Sequence, residues 1–219
     1  YEDFNTKFGD LSAIMIENLP FWVEITTTPS KKVSLMSEWE SKLKAIVSEV
    51  KNEDVGSMTG VPSWMMVLLQ RTLADTGKET IAEIWPNLEV FFHGGISFKP
   101  YRDQYRKIIG KDINYYEIYN ASEGFFAIQD QPGSDEMLLM LDYGIFYEFI
   151  PMDAFDPDNL QAIPLEEVEI GKNYALVITT NSGLWRYLIG DTVKFTSLHP
   201  YRIKISGRTK HYINAFGEE

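Results

Sequence analysis

The sequence predicts a mixed α/β fold, with a parallel α/β layer followed by a small antiparallel β-barrel or sheet. Three observations predict it. Apolar residues recur at helical spacing through the first third of the chain. A strand, a helix and a second strand then follow one another between residues 88 and 119, the spacing of a βαβ unit. After about residue 124 the helical period gives way to short strand-like runs separated by turn residues.

Each element has its own local cause. In residues 11–25, Leu11, Ile14, Met15, Leu19, Trp22 and Val23 mark a helical face that Pro20 interrupts. Residues 34–51 form an amphipathic stretch, with Ser37 as the expected N-cap and Trp39, Leu43, Ile46, Val47 and Val50 on one side. Val55 to Val61 is a short strand or loop broken by Gly56 and Gly60. Residues 63–74 make the next helix, which stops near Gly77. Leu88–Phe92 is a buried strand, residues 98–109 a helix, and Ile113–Tyr119 an alternating strand. Further strands are expected at 124–129, 137–141, 145–149, 174–180, 185–189, 192–197 and 201–206. Pro132-Gly133, Gly144, Gly171, Asn181-Ser182-Gly183, Gly190-Asp191 and His199-Pro200 punctuate them. The expected division is an α/β part over 1–130, a β part over 131–210 and a connecting segment over 211–219.

Composition narrows the function. The 219 residues carry a net charge of −12 and no run of Lys or Arg, so no basic face is available to track a nucleic-acid backbone. The chain has no Cys, which excludes disulfides and thiolate metal sites and is compatible with a cytoplasmic protein. No apolar run approaches the ~18 residues of a membrane helix. The three His residues lack zinc-site spacing. No Ser sits in a Gly-x-Ser-x-Gly elbow, so a hydrolase triad has no support.

Four loops carry candidate chemistry. Gly94-Gly95-Ile96-Ser97 follows a buried strand, where two glycines let backbone approach a ligand, although a plain turn uses the same residues. Tyr119-Asn120-Ala121-Ser122-Glu123 follows the next strand. It offers a ring for stacking on a base, a hydroxyl for a phosphoryl or carboxyl oxygen, and a carboxylate for Mg²⁺. A helix cap or surface loop is the alternative there. Gly190-Asp191 reads as a hairpin turn, or as an acidic acceptor for two ribose hydroxyls. Gly207-Arg208 is a surface turn, or a guanidinium fork for phosphate or ribose.

In this order the four loops resemble the adenylate-forming ligases, the superfamily of acyl-CoA synthetases and firefly luciferase. Within it, Gly183-Leu184-Trp185-Arg186-Tyr187-Leu188-Ile189-Gly190-Asp191 is similar to the Gly-Leu-Tyr-Arg-Tyr-Arg-Val-Gly-Asp pattern of the auxin-responsive acyl-acid amido synthetases, with Leu188 where an Arg is usual. The resemblance implies part of a large N-terminal ligase domain, with ATP and Mg²⁺ as cofactors and a small carboxylic acid and an amino acid as substrates. It implies a nucleotide site of Gly94, Gly95, Ile96, Ser97, Tyr119, Asn120, Ala121, Ser122, Asp191 and Arg208, with Ser122 and Glu123 catalytic and Glu123 on the metal. Val61, Trp64, Met65 and Phe125 are the expected acyl pocket. A phosphate loop is expected before this stretch and a further domain after it, so these residues alone are expected to be inactive. An acyl-CoA synthetase and a non-catalytic nucleotide-binding domain are the alternatives.

Overall fold

The computed structural model describes residues 11–209 together with two short strands, β1 (Glu2–Asp3) and β2 (Thr6–Lys7), which pair antiparallel. The connecting segment expected over 211–219 lies outside the described residues.

The chain divides into two compact units. The first runs through Phe92 and takes in Ile96–Asn114, whereas the second holds His93–Gly95 and the chain from Tyr115 onward. The sequence places this division near residue 130. The difference comes from the 114–128 hairpin, whose strands bond to the β part of the chain.

In the first unit Pro20 divides the opening helical stretch into α1 (Leu11–Glu17) and α2 (Phe21–Glu24). A short α3 (Lys31–Ser34) precedes α4 (Trp39–Val50). The cap of α4 is Glu38, not Ser37: its carboxylate accepts from the backbone N–H groups of Glu40 and Ser41. A carboxylate satisfies two of the orphan donors and sits well at the positive end of the helix. Strand β3 (Ser57–Gly60), helix α5 (Pro62–Thr76), strand β4 (Val90–His93) and helix α6 (Arg102–Ile109) complete the unit. Pro62 occupies the first turn of α5, where its missing N–H costs nothing, and α5 stops at the left-handed Gly77. Tyr105 is fully buried, stacks on Phe91 at 5.0 Å and donates its hydroxyl to Pro62 O at 2.8 Å. Trp85 likewise donates its indole N–H to Val50 O at 2.9 Å. These aromatics bury area without stranding a polar atom.

The second unit is one antiparallel sheet. Its strands are β5 (Asn114–Ala121), β6 (Gly124–Ile128), β7 (Met137–Leu139), β8 (Ile145–Pro151), β9 (Ile163–Pro164), β10 (Asn173–Thr180), β11 (Tyr187–Leu198) and β12 (Tyr201–Arg208). They lie in the order β5-β6-β7-β12-β11-β10-β8-β9. Alternation sorts the side chains. One cluster gathers Tyr119, Phe126, Tyr147, Phe149, Tyr174, Leu176, Val193 and Phe195. A second gathers Ile150, Ala175 and Val177, with Leu188 against it. Two expected strands, 185–189 and 192–197, are one continuous β11, so Gly190-Asp191 is not a hairpin turn. Gly190 instead sits inside the strand at φ 97°. Gly207-Arg208 likewise belongs to β12 and is not a surface turn. Among the described residues no helix is long and apolar enough to cross a membrane.

Arg202 is buried and grips Asp130 through two guanidinium N–H groups at 2.5 and 2.9 Å. That bonding holds the Asp130 carboxyl below its ordinary range. A folded-state pKa below the unfolded one contributes stability above the unfolded value, and the contribution is lost as pH falls through the folded value. Between roughly pH 6 and pH 3, the melting temperature of the native protein should therefore fall further than that of Asp130→Asn. Parallel pH profiles for the two proteins in a thermal-melt series would remove this pair as a source of acid sensitivity.

Candidate nucleotide site

Strand β5 organises the candidate site. Tyr119 is 4% exposed, and its ring packs on Phe126 with centroids 4.9 Å apart. It is part of the sheet core, so its face is not offered to a planar base as expected. The alternating pleat explains this: Tyr119 points into the sheet's apolar cluster, and a register irregularity between Tyr119 and Asn120 leaves Asn120 exposed.

The Tyr119 hydroxyl donates to Asp191 Oδ2 at 2.8 Å. Asp191 is 8% exposed and lies opposite Arg208 in the β11–β12 register. Arg208 Nε stands 3.3 Å from the other carboxylate oxygen, Oδ1. A buried carboxylate needs a countercharge and hydrogen bonds, and here each oxygen has one partner. Gly190 and Thr209 tie the strand ends together, the Thr209 N–H donating to Gly190 O at 2.7 Å. Each oxygen retains acceptor capacity, because an ionised carboxylate has about four lone-pair sites.

The Gly94 loop meets β5 from the other side of the chain. A Cβ built on Gly94 would lie 2.6 Å from Ile118 O and 3.4 Å from Asn120 Oδ1. Only a residue without a side chain fits that approach. The second unit thus brings Gly94, Asn120, Tyr119, Asp191 and Arg208 onto neighbouring positions. Ser122 and Glu123 form the two-residue turn between β5 and β6, with Ala121 and Gly124 paired across it. Ser122 is exposed and Glu123 half-buried, and Glu123 makes no hydrogen bond or ion pair among the described residues. Gly95 is exposed at φ 80°. Ile96 and Ser97 fall with the first unit, as do Val61, Trp64 and Met65, whereas Phe125 falls with the second.

The expected acyl-pocket residues separate in role. Trp64 is 44% exposed and meets Trp39 edge to face at 5.0 Å. Val61 caps α5. Met65 lines an open cavity of about 850 Å³ with Met58, Leu68 and Trp85, one wall of which is Thr26–Ser30. Neither Val61 nor Trp64 lines it.

Two features had no clear signal in the sequence. Arg186 adopts φ 45°, a left-handed conformation uncommon outside glycine. Its guanidinium clamps Glu148 through Nε and Nη2 at 3.0 and 2.9 Å, and its backbone N–H donates to Thr179 Oγ1. The fork and the backbone bond hold the strained residue in place and leave Trp185 82% exposed beside it. Tyr119's partnership with Asp191 is the second. It spans 72 residues, and only a strand pattern that turns Tyr119 inward hints at it.

This arrangement is the fold of adenylate-forming ligases. The structure resembles a solved acyl acid amido synthetase with a TM-score of 0.65 at 14% identity, over 83% of this chain and 42% of that one. A 2-hydroxyisobutyryl-CoA ligase solved with 2-HIB-AMP and CoA follows at 0.59 and 18% identity, over 83% and 42%. The chain belongs to the GH3 family: the family's N-terminal domain matches residues 2–113 and its central domain residues 138–208. It is 33% identical over 129 residues to an indole-3-acetic acid-amido synthetase of Arabidopsis thaliana, 54% of this chain and 21% of that protein. A jasmonoyl-L-amino acid synthetase of Nicotiana attenuata is 32% identical over 129 residues, 54% and 22%. The chain spans about a fifth of the length of these curated relatives.

The tight Gly94–Ile118 approach is open to a direct test. Gly94→Ala should force the loop off β5 and cost on the order of 1–3 kcal/mol in a urea unfolding series, the scale of an overpacked site. Unchanged stability would mean that the loop has room to yield.

Proposed function

We propose that the chain supplies the nucleotide-binding part of a ligase that activates a carboxylic acid with ATP and passes the acyl group to an amino-acid amine. The observation that carries this reading is the Asp191 carboxylate. It is buried, contacted on both oxygens, and linked to the Tyr119–Glu123 segment by the Tyr119 hydroxyl.

In the first step an oxygen of the acid attacks the α-phosphorus of ATP, and the bond to the departing pyrophosphate breaks. Two anions must meet, so charge has to be offset. Asp191 would accept from the two ribose hydroxyls and fix the sugar. The Gly94 loop would run along the base, since backbone there approaches β5 without side-chain obstruction. Ser122 would donate to a phosphoryl or carboxyl oxygen. In the second step the amine attacks the acyl carbon and AMP leaves.

Magnesium fits the donor set. The ion is commonly bound through one or two carboxylates with substrate phosphates completing the shell. Glu123, half-buried in the β5–β6 turn with no internal partner among the described residues, is such a carboxylate. When bound, the ion would neutralise charge between the reacting anions.

A CoA-dependent ligase is the second reading, favoured by the likeness to the 2-hydroxyisobutyryl-CoA ligase. The intact enzyme supplied with ATP, a panel of acids, and either amino acids or CoA should release pyrophosphate and form an amide only with the amino acids. Thioester formation would select the second reading, and no turnover with any acid would leave a binding domain. Glu123→Gln should lower pyrophosphate release by about 100-fold or more, with partial recovery at high Mg²⁺. A Gln variant with native rate and native Mg²⁺ dependence assigns Glu123 to structure alone.

A further inference from the structure

We propose that Tyr119 is a positioning residue for the nucleotide sugar: its hydroxyl orients the Asp191 carboxylate for the ribose diol. This rests on the proposed nucleotide site and assigns the task to the Tyr119 hydroxyl.

The Tyr119 ring is 4% exposed and packs 4.9 Å from Phe126, so it is held in the sheet core. What remains of Tyr119 is one polar atom at the end of a buried ring. That atom is spent on Asp191 Oδ2 at 2.8 Å, the length of a bond between a hydroxyl and a charged acceptor.

Asp191 has two rotational freedoms to lose before it can accept from two adjacent hydroxyls. Arg208 alone does not remove both. Its Nε contact is at 3.3 Å on a single oxygen, and the Arg208 side chain is 36% exposed, so it is free to sample other arrangements. The Tyr119 hydroxyl is different. It is carried by a two-torsion side chain wedged between strands, in a cluster with Phe126, Tyr147 and Phe149. It fixes the position of Oδ2, and with it the plane of the carboxylate. Preset acceptors need not be ordered when ligand arrives, which is where a positioning residue contributes to affinity.

The hydroxyl also uses only one of the lone pairs of Oδ2. A second donor can approach the same oxygen, so Tyr119 supports the ribose contact without competing for it.

The test separates sugar recognition from general stability. AMP and 2′,3′-dideoxy-AMP are titrated calorimetrically into the native protein, Tyr119→Phe, Asp191→Ala and the double variant, with folding checked by circular dichroism. The native protein should prefer AMP to the dideoxy analogue. Tyr119→Phe should weaken AMP about tenfold while leaving the analogue unchanged, the scale of one charge-assisted hydrogen bond. In the Asp191→Ala background the Phe substitution should have no further effect. If Tyr119→Phe does not fold with an unpaired buried carboxylate, the double variant lacks that charge. Its AMP affinity should then equal that of Asp191→Ala, and a further loss overturns the proposal. A Tyr119→Phe protein that keeps the native preference, or weakens both ligands equally, overturns it too. No preference in the native protein removes the ribose reading of Asp191 itself, and the role of Tyr119 with it.

Discussion

A carboxylate buried to 8% exposure sets the terms for the second unit, because such a charge persists only where it is paired and hydrogen-bonded. Asp191 meets that demand with partners from two other strands, Tyr119 on β5 and Arg208 on β12. In the sheet order, β6 and β7 stand between β5 and β12, so the Tyr119–Asp191 contact is made by side chains within the sheet's apolar cluster. Shifting any one of the three strands by a residue would turn a partner to the wrong face. The polar triad therefore adds to the register that the buried apolar faces already specify.

The two faces of the sheet are used unequally. Adjacent residues Leu188 and Ile189 pack against different clusters, Leu188 with Ile150, Ala175 and Val177 and Ile189 with the Tyr119 cluster. Position 188 carries Leu where the resembled family pattern has Arg. Here an apolar side chain extends the smaller cluster instead, which removes a charge that would otherwise need its own partner. On that same face Arg186 spends its guanidinium on Glu148, so the arginine that remains in the motif is engaged with the protein.

What the sequence discloses is what local chemistry decides. Pro20 parts α1 from α2, Gly77 ends α5, and the change from helical to alternating period marks the start of β structure. The order of the four candidate loops was also legible, because each has a short motif. What was not legible depends on long-range pairing. Gly190-Asp191 has the composition of a hairpin turn, yet β12 pairs with Asp191, and β10 pairs with β11 on both sides of a register shift there, so the strand continues through it. Tyr119 has the composition of a stacking residue, yet its place in the pleat turns it inward. The division at residue 114 follows from the β5–β6–β7 bonds, which no window of sequence contains. Glu38 displaced Ser37 as the cap of α4 because a carboxylate reaches two backbone donors at once.

The two acidic residues of the candidate site differ in a way that fits different tasks. Asp191 is contacted by a hydroxyl and a guanidinium within the sheet, which suits the diol-acceptor role proposed for it. Glu123 stands on a two-residue turn with no internal partner among the described residues. Fixing it in the same manner would be counterproductive. A carboxylate already satisfied by an arginine gives up that attraction before it binds a cation, whereas an unpaired one at a strand end exchanges only water. Its turn is nevertheless anchored: Gly124 lies so close to Ile145 that a Cβ there would stand 2.8 Å from Ile145 Cδ1. The backbone of the tip is thus held by packing while the Glu123 side chain is left to adjust, a combination that suits the metal role proposed for it.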